Sequence, residues 1–144
     1  MRGVTLVELI VSIVIIGASL AGILMVILRN TGASADPMIW HQSVAIAEAY
    51  LEEILTKNFT ADGVEASRDL YDDVMDYNGI NETPPRDQNG TAIAALAGYT
   101  VNVQVISEPL GNPVIAAANV WRVQVTVTPP AGDNIVISGY RTNY

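Results

Sequence analysis

Three patterns of apolar and polar side chains follow one another along the chain. Residues 4–28 are apolar or small almost throughout, and Glu8 is the only ionisable side chain among them. In residues 39–55 apolar side chains recur at helical spacing, and from residue 99 onward they alternate with polar ones. These periods predict a long N-terminal helix followed by β-strands, and therefore an α+β fold.

The first apolar run is long enough to cross a membrane. About 25 residues at about 1.5 Å rise per residue match a hydrocarbon core of about 30 Å. A secretory signal has a shorter apolar core of roughly 7–15 residues, closed by a small-residue cleavage site that this run lacks. We therefore predict a retained membrane helix at residues 4–28 and a globular domain over residues 29–144.

A second helical segment follows the membrane helix. Asp36 and Pro37 fit a helix N-cap and first helical position, so the helix either restarts or kinks near residues 30–37. The predicted buried stripe of this amphipathic helix contains Ile39, Val44, Ile46, Ala47, Tyr50, Leu51, Ile54 and Leu55. Three glutamates, Glu48, Glu52 and Glu53, are expected away from the centre of the stripe, and the helix should end near Lys57.

The last third of the chain has three alternating stretches, at residues 99–105, 121–127 and 135–140. Each stretch has one apolar face, which is typical of strands in an antiparallel sheet with one buried side. We predict three or more such strands, packed by their apolar face on the amphipathic helix. Residues 58–98 contain turn-forming pairs, such as Asn78-Gly79 and Pro84-Pro85, and should form an irregular connection.

Composition opposes several classes of function. The chain has no cysteine and a single histidine, His41, so no zinc site with two such ligands can form. The net charge of −8 arises in residues 48–87, where eleven acidic residues face three basic ones, and this balance opposes nucleic-acid binding. We predict a protein that is not an enzyme and uses no cofactor, with His41 on the helix surface.

One acidic cluster raises the question of a metal ion. Its members are Asp69, Asp72, Asp73, Asp76 and Asn78. Calcium takes six to eight oxygen ligands, but the spacing lacks the closing glutamate of an EF-hand loop. A calcium site at Asp72, Asp73, Asp76 and Asn78 is therefore the lesser hypothesis. The alternatives are a solvated acidic face and a contact surface for a basic partner.

Glu8 lies one turn into the apolar run. A carboxylate within hydrocarbon costs roughly 2.5–3.5 kcal/mol on insertion scales, and such a group is a candidate functional residue. The carboxylate either reaches the cytoplasmic headgroups or meets a partner from a neighbouring subunit.

The run from Arg2 to Glu8, with the apolar segment after it, resembles the prepilin signal of type IV pilins and type II secretion pseudopilins. The resemblance implies a pilin-like fold and a leader of residues 1–3, removed by a prepilin peptidase that cuts between Gly3 and Val4. It also implies N-methylation of Val4 and an assembly role for Thr5 and Glu8. In this family the glutamate meets the terminal amine of an adjacent subunit.

The chain departs from the family pattern at several positions. The leader is short, which leaves an upstream start codon or a truncated leader as alternatives. Val4 stands where major pilins usually carry phenylalanine, and Met25 replaces a proline that many pilins have. These departures, together with the absence of the disulfide common in pilins, point to a less common member of the family.

Five further runs, at residues 36–37, 45–54, 71–79, 86–90 and 138–142, are similar to minor pilins of mannose-sensitive haemagglutinin pilus systems. This similarity implies a subunit that helps to initiate, assemble or modify a pilus. Its implied partners are other pilins, the prepilin peptidase and the inner-membrane assembly platform. The implied location is the bacterial inner membrane, with a cytoplasmic N-terminus and a periplasmic domain, and then the pilus. A secretion pseudopilin and a single-span membrane enzyme or ligand-binding sensor are the alternatives.

Overall fold

The computed structural model describes residues 5–63 and 65–143, and the side chains of residues 28–36 lie outside this description. Helix α1 spans Leu6–Leu55 and is followed by four strands: β1 (Asn81–Glu82), β2 (Thr100–Ser107), β3 (Val120–Thr128) and β4 (Ile135–Thr142). Short 3-10 turns lie at Arg68–Leu70, Met75–Tyr77, Ala94–Leu96 and Ala117–Asn119. The fold is α+β, as the sequence predicts.

The chain forms two compact units, Met1–Met38 and Ile39–Tyr144, and each is described by itself. Pro37 lies inside α1, next to the boundary between the units. The backbone is helical throughout residues 30–37, so the expected break of the helix there is wrong, while the alternative of a kink stays a prediction. At its other end α1 stops at Leu55, close to the expected position.

The four strands form one antiparallel sheet in the order β1-β2-β3-β4. Val103 lies opposite Val125, which in turn lies opposite Ile137, so apolar positions share one face across three strands. The three predicted strands are confirmed. Strand β1 is an addition, and its two residues are too few to produce a period in the sequence.

The core of the second unit lies between this sheet face and the C-terminal part of α1. Valines at alternate positions of β2 and β3 are fully or almost fully buried: Val101, Val103, Val105, Val123, Val125 and Val127. Ile46, Ala47, Tyr50 and Ile54 form the buried stripe of α1 against them. Each aliphatic side chain that moves from water into such a core contributes about 1.5–3 kcal/mol, so the matched periods of helix and sheet stabilise this unit.

Gly139 sets how closely α1 approaches β4. A Cβ atom at this position would lie 2.9 Å from Leu55 Cδ1 and 3.2 Å from Leu51 Cδ1. Such a Cβ atom would be too close to both leucines unless they moved, so glycine allows the helix to pack directly on the strand.

We predict that Gly139→Ala lowers the free energy of unfolding by about 1–3 kcal/mol, because the added methyl group overpacks this contact. Urea unfolding of the purified chain in detergent micelles measures the change. Ser138→Ala is the matched control, since Ser138 is exposed on the opposite face of β4. Equal stability of the two variants would show that the leucines yield at little cost.

Candidate functional site

Thr5 and Glu8 together begin helix α1. The backbone N–H of Glu8 donates to Thr5 Oγ1 at 3.3 Å, and that of Leu9 donates to the Thr5 carbonyl at 3.2 Å. Thr5 is therefore the N-cap, and Glu8 occupies the third helical position, the spacing of a capping box. A negative side chain in this first turn also faces the positive end of the helix dipole.

The helix after this cap presents an apolar surface with no cover among the described residues. Leu6–Ile27 is 22 residues long, apolar enough to cross a membrane, and not buried in the structure. Ser12 and Ser19 each donate a hydrogen bond to the carbonyl four residues earlier, at 2.7 Å, so their hydroxyl hydrogens are satisfied within the helix. Gly3 and Val4, the predicted processing positions, lie outside the described residues.

A buried arginine is the centre of a polar cluster in the second unit. Arg68 Nη2 lies 3.0 Å from Glu53 Oε2, and Arg68 Nη1 lies 2.9 Å from Glu82 Oε2. The Arg68 side chain is only 4% exposed. Its guanidinium also stacks over the Tyr50 ring, 4.4 Å from the centroid. The cluster thus joins α1, the irregular segment and β1.

Two phenols complete this cluster. Tyr50 donates to Glu82 Oε2 at 2.7 Å, and Tyr77 donates to Glu53 Oε1 at 2.8 Å. Burial, helped by the hydrogen bond to Glu82, raises the pKa of Tyr50 to about 12. Burial and the hydrogen bond to Glu53 likewise raise the pKa of Tyr77. Both phenols therefore stay protonated near neutral pH and act as donors, which suits a structural role better than a nucleophilic one.

The position of Glu53 corrects the sequence analysis. It was expected away from the centre of the buried stripe with Glu48 and Glu52, but its side chain is only 8% exposed and pairs with Arg68. Glu48 and Glu52 are exposed, as predicted. Glu53 lies three residues after Tyr50 and seven after Ile46, so the helical period places it at the side of the buried stripe, but its partner lies fifteen residues further along an irregular segment and has no local signal.

Asp73 in the acidic segment is fully buried and bonds to backbone amides. Its Oδ1 accepts from the Met75 N–H at 2.7 Å, and its Oδ2 accepts from the Asp62 N–H at 3.1 Å. Asp76 Oδ2 accepts from the amides of Asp72 and Asp73. These carboxylates therefore hold the turns of residues 62–76 in place of regular secondary structure.

The predicted calcium ligands come together only in part. Within the described residues, carboxylate oxygens of Asp62, Asp72 and Asp73 lie within 4.8 Å of one another, and so do those of Glu65, Asp72 and Asp76. The Asn78 side-chain oxygen instead accepts the Val105 N–H at 2.9 Å. Calcium binding stays a hypothesis, with two more acidic residues than the sequence indicated.

Glu65 is the most perturbed carboxyl group of this segment. Its Oε2 is buried and has no hydrogen-bond partner while both it and Asp76 are ionised. A proton on Glu65 supplies the missing bond to Asp76, and this hydrogen bond, with burial, raises the pKa of Glu65 to about 7. The pair is thus a site of pH sensitivity in the fold.

An open cleft of about 460 Å³ lies where the chain leaves α1. It is lined by Asn58, Phe59, Thr60, Asp62, Arg141, Thr142 and Asn143. Arg141 Nε donates to the Lys57 carbonyl at 3.2 Å, and the arginine forms no ion pair within the described residues. His41 lies elsewhere, exposed on α1 beside Trp40, so the prediction of a surface histidine is confirmed.

Comparison with protein-family models, with curated proteins and with solved structures finds no match to this chain.

We predict that Arg68→Met lowers the free energy of unfolding by about 3–5 kcal/mol, because it leaves Glu53 buried without a counter-charge and Glu82 with only the more exposed Arg86. Arg86→Met is the matched control. Arg86 is half exposed and lies 3.9 Å from Glu82, and we expect its loss to cost less than about 1 kcal/mol. Urea unfolding distinguishes the two, and similar values would contradict a central role for Arg68.

We predict that Glu65→Gln removes a pH dependence of stability. Because the folded-state pKa of Glu65 is raised, its contribution is fully present below pH about 4.5 and is lost as the pH rises towards about 7. A glutamine keeps a donor for Asp76 at every pH, so the variant should melt at a higher temperature than the parent chain at pH 8. Thermal melts across pH measure this, with Asp69→Asn as the control, and parallel profiles would contradict it.

Proposed function

We propose that this protein is a minor subunit of a type IV pilus that takes part in its initiation, assembly or modification. The observation that carries the proposal is an uncovered, membrane-length apolar helix that begins with the Thr5–Glu8 cap and continues into an α+β domain. The resemblance of residues 2–8 to the prepilin signal suggests that this helix is processed and then assembled with other subunits. Along the whole chain the resemblance is strongest to the minor pilin D of mannose-sensitive haemagglutinin systems.

The proposed mechanism involves no catalysis by this chain. A prepilin peptidase cuts between Gly3 and Val4 and methylates the new terminus, and the inner-membrane assembly platform then moves the subunit out of the bilayer. In the filament, Glu8 accepts the terminal amine of the neighbouring Val4. An unpaired charge is costly in such an apolar surrounding, so the pair fixes how neighbouring subunits align.

The local geometry of Glu8 supports this role. Only its backbone N–H is used by the Thr5 cap, while its carboxylate has no partner among the described residues. One residue can therefore start the helix and still bind a second subunit.

Two other functions are kept as alternatives. A type II secretion pseudopilin would carry the same signal and helix. A single-span membrane enzyme or ligand-binding sensor would instead keep its helix in the membrane, and the polar cleft at Asp62 and Arg141 would be its binding site.

The N-terminus of the protein in cells tests the proposal most directly. We expect mass spectrometry to find N-methylated Val4 in cells with the prepilin peptidase and an uncut chain in cells without it. An uncut chain in both strains would favour the membrane enzyme or sensor.

We predict that Glu8→Ala strongly reduces incorporation into filaments while the chain is still inserted in the membrane. Glu8→Gln distinguishes the two roles of the residue, because glutamine fits a capping box but cannot neutralise an amine. Immunoblots of sheared filaments and of membranes measure both quantities. Normal incorporation of the Glu8→Gln chain into filaments would contradict the proposed ion pair between Glu8 and the terminal amine.

A further inference from the structure

Strand β4 forms an open edge of the sheet. The sheet order ends at β4, and no described segment pairs with its outer side. At the other end of the sheet, the outer side of the long strand β2 is covered by β1 and by the residues just before it, so β4 is the only long strand with an open side among the described residues. Ile135–Tyr140 contains no charge and no proline, so it lacks the features by which edge strands usually avoid pairing with another chain.

The backbone groups that face this edge follow from one hydrogen bond. The N–H of Asn143 donates to the Asn119 carbonyl at 3.1 Å, in line with the β3–β4 register. Successive residues of a strand direct their N–H and C=O groups to opposite sides. Those that face the open edge are therefore Val136, Ser138, Tyr140 and Thr142.

One acidic and one basic residue lie at equal distances along the chain on either side of Ile137 in β4. Asp133 and Arg141 are the only charged side chains after residue 130, and each lies four positions from Ile137. Asp133 is exposed and has no ion pair among the described residues, and Arg141 has none there either. Arg141 lies in β4 on the same side of the sheet as Ile137, and Asp133 lies two residues before the strand begins, where an extension of β4 would place it in the same phase.

We propose that β4 is an interface that pairs antiparallel with β4 of a second copy of this chain, centred on Ile137. In this register Asp133 of each copy lies opposite Arg141 of the other, which forms two ion pairs. Val136 lies opposite Ser138 of the second copy, so residues with outward N–H and C=O groups face each other. This register satisfies the open backbone groups and the unpaired charges together, and it does not depend on the proposed function.

Charge reversal tests the interface. We expect Asp133→Lys and Arg141→Glu each to raise the dimer dissociation constant of the full chain in detergent micelles by about tenfold or more, since two attractive pairs become repulsive. The double variant should return to within about threefold of the parent chain, which also controls for misfolding. Sedimentation equilibrium measures all four chains. A monomeric parent chain, or a dimer that the reversals leave unchanged, would overturn the proposal.

Cysteine pairing tests the register, because the chain has no cysteine of its own. Under mild oxidation, a mixture of the Val136→Cys and Ser138→Cys chains should form more disulfide-linked dimer than either chain alone, since these two positions lie opposite each other. Gln104→Cys, on strand β2, is the control and should form none above background. A dimer held only by the membrane helices would show no preference for the mixture, and that result would reject the β4 interface.

Discussion

Arg68 places its guanidinium between Glu53 of helix α1 and Glu82 of strand β1, and the arrangement of the irregular segment depends on this contact. The described residues between 56 and 98 contain only short turns and one two-residue strand, so few ladder hydrogen bonds hold them. Burying three charges costs solvation that their attraction offsets only in part. The cluster therefore contributes less to net stability than its number of contacts suggests, whereas loss of Arg68 alone would leave the buried Glu53 without a counter-charge.

Carboxylates also hold other parts of the irregular segment, through hydrogen bonds to its backbone. Asp73 and Asp76 accept backbone N–H groups that would otherwise be unsatisfied, and Asn78 does the same for β2. Many of the acidic residues that give the chain its charge thus have structural partners. The segment is ordered without a disulfide, since polar side chains supply the bonds that regular elements supply elsewhere.

The regular parts of the fold could be predicted because their periods are local. The alternating valines of β2 and β3 and the stripe around Tyr50 fix both the elements and the faces that meet. The burial of the Glu53 side chain was not predicted because it depends on Arg68, whose position no local period reveals. Of the site residues, Glu8 could be found because it is the only ionisable side chain in the apolar run, and Thr5 was indicated by the resemblance to the prepilin signal. Glu65 could not be found, since its raised pKa depends on a contact with Asp76.

The environment that the exposed helix favours is set by different interactions from those that stabilise the globular unit. Its aliphatic surface is suited equally to lipid chains and to other apolar helices, so a transfer between the two gains little hydrophobic free energy. Glu8 is different, because its carboxylate costs roughly 2.5–3.5 kcal/mol within hydrocarbon and regains much of that cost beside an amine. In the proposed function this single side chain therefore supplies the preference for the filament over the bilayer, and the apolar residues around it make both environments accessible.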